Sequence, residues 1–112
     1  MKEKFLYITK SDKEWGKILI AARATSDHVF CLVGWICNEK GVFEAANLTI
    51  NITKANRKIW REKLFVLVCR ELYGWLLFYT HANNLSKWPR PPWGHDLTEE
   101  DFAAKHWKRG IE

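Results

Sequence analysis

Cysteine is scarce in this sequence and badly placed for cross-linking: Cys31, Cys37 and Cys69 are odd in number, sit among apolar neighbours and form no Cys-x-x-Cys pair. A disulfide framework or a zinc site therefore has little support, and the three thiols are expected to be small core residues. Proline is equally scarce, at three, while 47% of the residues are hydrophobic, which argues against disorder and for a real core. Long apolar runs are missing as well. The one tempting stretch, residues 64–79, holds Arg70 and Glu71 near its middle and falls short of the roughly 20 apolar residues of a membrane span. The first ten residues are charged and lack a signal-peptide core, so the expectation is a cytoplasmic protein that makes no membrane contact. On that expectation the glycosylation sequons at Asn47, Asn51 and Asn84 are chance matches.

Catalytic signatures are absent too. The chain has no Gly-x-Ser-x-Gly elbow, no phosphate-binding glycine loop and no His-Glu-x-x-His. His28, His81, His95 and His106 are scattered, and His95-Asp96 is a bare dipeptide. The expectation is a protein that is not an enzyme and needs neither metal nor cofactor.

What is present is tryptophan and positive charge. The chain has seven tryptophans in 112 residues, a net charge of +5 and a sequence pI near 9.2. That length suits one domain. Seven indoles either close the core or, in part, face a partner. The charge is uneven: between Lys54 and Arg90, eight basic residues stand against Glu62 and Glu71. Such asymmetry attracts DNA, RNA or an acidic protein surface.

The pattern of elements predicts an α+β domain of order β-α-β-β-α-α over residues 1–112. A small, mainly antiparallel three-stranded sheet would pack on a long apolar helix. Phe5, Tyr7 and Thr9 alternate with Leu6 and Ile8 in a first strand, residues 4–9. Ser11 and Glu14 fit a capping box, and Trp15, Ile18, Leu19 and Ala22 recur at helical spacing, predicting a helix to about residue 24. Residues 28–37 are apolar on both faces, as in a central strand covered on two sides. Asn38 to Gly41 are turn residues. In the strand after them Ala46, Leu48, Ile50 and Ile52 point inward and Asn47, Thr49, Asn51 and Thr53 outward.

A long helix is expected over residues 54–80, apolar around nearly its whole circumference from Phe65 onward and therefore buried nearly all round. That burial predicts a homodimer through the apolar half of the helix. A Trp/Pro-rich loop follows at residues 85–97. The C-terminal segment, residues 98–110, reads as a short helix, with Leu97 and Phe102 as the staple around a Thr98 cap and acids in its first turn.

Basic and aromatic residues coincide twice. Lys54, Arg57, Lys58, Arg61 and Lys63 crowd the start of the long helix, and Lys87, Trp88, Arg90 and Trp93 follow in the loop. Cations attract phosphates and indoles stack on unpaired bases, so these nine positions are the expected site of a non-catalytic nucleic-acid-binding accessory protein. In the alternative reading the same residues anchor a protein-binding module or small inhibitor that occupies a partner's surface. A lesser candidate is the row Asn47, Thr49, Asn51 and Thr53, whose amides and hydroxyls could read base edges. Asn56-Arg57-Lys58-Ile59-Trp60, at the head of a helix after a strand, resembles a five-residue piece of the NinB recombination proteins of lambda-like phages. That resemblance implies single-stranded DNA binding and extends to those five positions.

Overall fold

The first four strands follow one another as an antiparallel meander, because each link between them is a tight turn with its own local hydrogen bonds. The computed structural model describes residues 3–79 and 96–110. Strands β1 (Lys4–Asp12), β2 (Gly16–Ala24), β3 (His28–Cys37) and β4 (Val42–Asn51) pair in sequence, and the two-residue β5 (Lys108–Arg109) adds to the far side of β1. The spatial order is β4-β3-β2-β1-β5. One helix, α1 (Trp60–Tyr79), packs on one face of the sheet, and the 3-10 turns Glu99–Phe102 and Ala104–His106 continue the cover. The fold is α+β, as expected, but among the described residues the sheet has five strands.

The largest correction concerns residues 11–24, which form a hairpin and not a helix. Asp12 Oδ1 accepts from the backbone N–H of Glu14 (2.8 Å) and Trp15 (2.9 Å), closing the loop between β1 and β2. Gly16 then takes φ +84°, where a Cβ would lie 2.2 Å from the Ile36 carbonyl oxygen. Only glycine fits that close approach in the left-handed region. From Gly16 on, Ile18, Ile20, Ala22 and Ala24 are buried at period two while Lys17, Leu19, Ala21 and Arg23 face the other way. The run Ile-Leu-Ile-Ala-Ala matches both periods. The turn and the β-branched residues decide it.

The inward residues of β1 to β4 (among them Leu6, Ile18, Ile20, Val29, Val33 and Trp35) make one core with the helix residues Trp60, Leu64, Val68, Leu72 and Leu76. Four of the five described tryptophans, Trp15, Trp35, Trp60 and Trp107, are buried, so among these residues indole closes the core. Trp35 Nε1 donates to the Trp15 carbonyl (2.6 Å), and Trp107 Nε1 to that of Phe102 (3.0 Å). Cys31 and Cys37 are buried, and burial pushes the Cys31 thiol up to about 12.

The helix departs from expectation at both its start and its surroundings. It begins at Trp60, because Thr53 and Asn56 exchange backbone-to-side-chain bonds (2.7 and 3.3 Å) and Asn56 Nδ2 also donates to the Asn51 carbonyl (2.7 Å). These bonds hold residues 54–59 in turns. Its burial is one-sided: Val66, Tyr73 and Phe78 are exposed, Phe78 to 77%. A single sheet covers a single stripe of a helix, and among the described residues no second layer covers the rest.

The C-terminal segment is two short 3-10 turns and a strand, not an α-helix. Thr98 N–H donates to Asp101 Oδ2 (2.8 Å) and the staple pair Leu97 and Phe102 is buried, so the cap and staple are formed. Leu97, Phe102 and Trp107 are all buried at intervals of five residues. On an α-helix each such step turns about 140°, which would point the three side chains in different directions. Extended backbone at Ala103 (φ −62°, ψ 152°) breaks the helix and lets all three enter the core.

Candidate functional site

The strand β3 is central, but among the described residues it is covered on one side and not two. Its outward residues Phe30 and Leu32 are 40% and 47% exposed. The antiparallel register sets them in a grid. Phe5, Arg23, Phe30 and Thr49 form one cross-strand row, with Lys108 of β5 beyond Phe5. Tyr7, Ala21, Leu32 and Asn47 form the next, then Thr9, Leu19, Gly34 and Ala45, then Ser11, Lys17, Ile36 and Phe43. Strand spacing of about 4.8 Å and about 6.8 Å per two residues make this face roughly 14 Å by 20 Å.

Two features distinguish the open face. Its large side chains are aromatic and aliphatic, and Tyr7 and Phe43 are each 75% exposed. Its strand positions carry Lys17, Arg23, His28 and Lys108 and no carboxylate. At one end these groups are already stacked. The Arg23 guanidinium lies 5.0 Å from the Phe30 ring centre, and the His28 ring stacks on Phe30 at 5.7 Å and 19°. Glu3, just before β1, holds Arg23 from the side (3.2 Å). A hollow of about 260 Å³ opens over the small Ala21, walled by Phe5, Tyr7, Arg23, Phe30, Leu32 and Asn47.

The positions expected to bind a partner lie elsewhere. Lys54, Arg57 and Lys58 are exposed in the turns between β4 and α1, and Lys63 is exposed on the first turns of α1, none of them at a strand position of the open face. Arg61 is packed: its guanidinium lies 4.3 Å over the Trp60 ring, its Nε is buried without a hydrogen-bond partner, and burial lowers its pKa. The groove of about 460 Å³ beside Lys63 and Arg70 also holds Glu62 and Glu99, so its charge is mixed. Lys87, Trp88, Arg90 and Trp93 lie outside the described residues. Asn56, the first residue of the NinB-like piece, is buried and bonded to Thr53 and Asn51, which gives it a structural role.

Sequence reasoning missed the aromatic face because residues 11–24 read as a helix, which removed β2 from the sheet. The alternation Phe5, Tyr7, Thr9 and the outward row Asn47, Thr49, Asn51 were both legible, and they meet on this face. Among the described residues no group of three His, Cys, Asp or Glu could hold a metal ion, and no helix is long and apolar enough to cross a membrane. Comparisons with protein-family models, curated proteins and solved structures gave no match.

Proposed function

We propose that the protein is a non-catalytic binder of single-stranded nucleic acid, and that the strand lies on the open face of the sheet. The observation that carries this reading is the coincidence on one face of exposed aromatic rings (Tyr7, Phe30, Phe43) with cations and no strand carboxylate. Rings of this kind stack on bases that are not already stacked in a duplex, and four-stranded sheets hold about two or three bases in this way. Lys17, Arg23 and Lys108 would meet phosphates. Asn47 and Thr49 add donors and acceptors beside the rings. The cations at the start of α1, with the net charge of +5, would then draw the polyanion in without fixing its register.

Fluorescence polarisation with labelled seven-nucleotide DNA and RNA tests the reading. Binding at low salt that weakens steeply as salt rises, and that falls about 5- to 150-fold in Tyr7→Ala and in Phe43→Ala, is the expected result. Replacing Lys54, Arg57 and Lys58 together by Gln should lower affinity less than either ring deletion. No binding at low salt ends the proposal. The exposed Leu19 and Leu32 favour a second reading, in which this apolar face docks a partner protein. Salt-insensitive capture of one protein, lost in Leu32→Asp and unaffected by oligonucleotide, would select it.

A further inference from the structure

Resting on that reading, we propose that the hollow over Ala21 is a slot for one unpaired nucleobase. Its position in the grid makes it a slot. In its row Ala21 is flanked directly by Tyr7 on β1 and Leu32 on β3, with Asn47 one strand further on, so a methyl floor lies between larger walls. Phe5 and Phe30, one row along, bring aromatic rings to the same rim. A volume of about 260 Å³ is enough for one planar ring system, and because the hollow opens to solvent the attached sugar and phosphate stay outside it.

Polar groups at the rim match a base in a strand. Asn47 carries both an acceptor and donors, which is what the edge of any base requires. Arg23 is oriented before any ligand arrives, because Glu3 holds one of its nitrogens and Phe30 underlies its plane. Its remaining N–H groups suit a phosphate joined to the seated base. An apolar side chain would leave these polar groups unanswered on entry. A free sugar would offer no π-face to the rings. Tyr7, beside the slot, stacks the flanking base, and Phe43, two rows and two strands from Ala21, meets a base further along the strand, whereas the Ala21 slot holds one base with its edge toward Asn47.

Titration of the isotope-labelled protein with heptathymidylate, followed by NMR, tests the slot. A base seated there shifts the Ala21 methyl upfield by ring current and moves the Asn47 side-chain amide signals. Filling the floor with Ala21→Leu should weaken binding about 5- to 150-fold. The folded state of this variant is checked by its urea midpoint, and Asn47→Leu, at an exposed position, serves if Ala21→Leu does not fold. Binding that leaves both signals unmoved, or that survives Ala21→Leu while Tyr7→Ala abolishes it, overturns the slot and leaves the wider platform standing. Failure of the wild type to bind at low salt overturns both.

Discussion

The Tyr79 hydroxyl donates to Glu44 Oε1 at 2.6 Å, tying the last turn of α1 to the start of β4 across 35 residues. The Tyr79 ring also meets Trp35 edge-on at 5.6 Å. The bond to Glu44 raises the phenol's pKa above its ordinary value, with burial and the carboxylate's charge adding in the same direction. A group whose pKa is raised on folding contributes stability below its unfolded pKa and loses it as pH climbs through the folded value. Wild type should therefore lose an increment of stability above about pH 10 that Tyr79→Phe does not lose. Urea melts of both proteins between pH 8 and 11 measure it, and parallel curves would refute the assignment.

Gly16 and Gly41 both have positive φ, but their surroundings differ. A Cβ at Gly16 meets the Ile36 carbonyl, whereas at Gly41 nothing lies within 4 Å. Gly41→Ala should cost about 1–2 kcal/mol, the penalty of the left-handed region alone. Gly16→Ala should cost more, because β3 must also move. Chemical denaturation of the pair gives the order directly, and equal losses would contradict the hairpin geometry at Gly16.

Trp107 anchors the C-terminal segment. Its ring meets Trp60 edge-on at 5.2 Å, its N–H is bonded to Phe102, and Phe102 in turn packs edge-on against Phe65 at 5.7 Å. Phe102→Ala and Trp107→Ala should each lower stability by about 3–5 kcal/mol. Because the two side chains share a cluster, the double variant should lose less than the sum. Thermal or urea unfolding of the set checks both statements.

The proposed strand contacts carry an ionic signature. For single strands the slope of log affinity against log salt changes by about 0.7 for each phosphate neutralised. Lys17→Gln with Lys108→Gln should therefore flatten the slope by about 1.4. Polarisation titrations across a range of salt concentrations measure this. An unchanged slope with unchanged affinity would remove these two lysines from the interface.

Elements with one dominant signal were legible in the sequence. The Asn38–Gly41 turn, the alternation in β4 and the body of α1 were read in place. The Thr98 cap and its staple were also correct, yet the segment behind them is not an α-helix, since burying Trp107 together with Phe102 outweighs helical continuity. β2 was lost because its apolar run fits two periods, and the deciding contact, Gly16 against Ile36, joins residues 20 apart. The aromatic face depends on β2 bringing β1 and β3 together, so no local pattern announced it. Lys54, Arg57, Lys58 and Lys63 stand out by charge density, a local signal of attraction to a polyanion that carries no information on which surface of the fold would hold one.

The meander sets an order of assembly. Each pairing from β1 to β4 joins neighbouring stretches of chain through short turns, so the entropy of closing each loop is small and the four strands can zip together quickly. The pairing of β5 with β1 spans more than a hundred residues and waits for the chain to return. Stopped-flow refolding should report Trp35 shielding before Trp107 shielding, a lag that single-tryptophan variants would time.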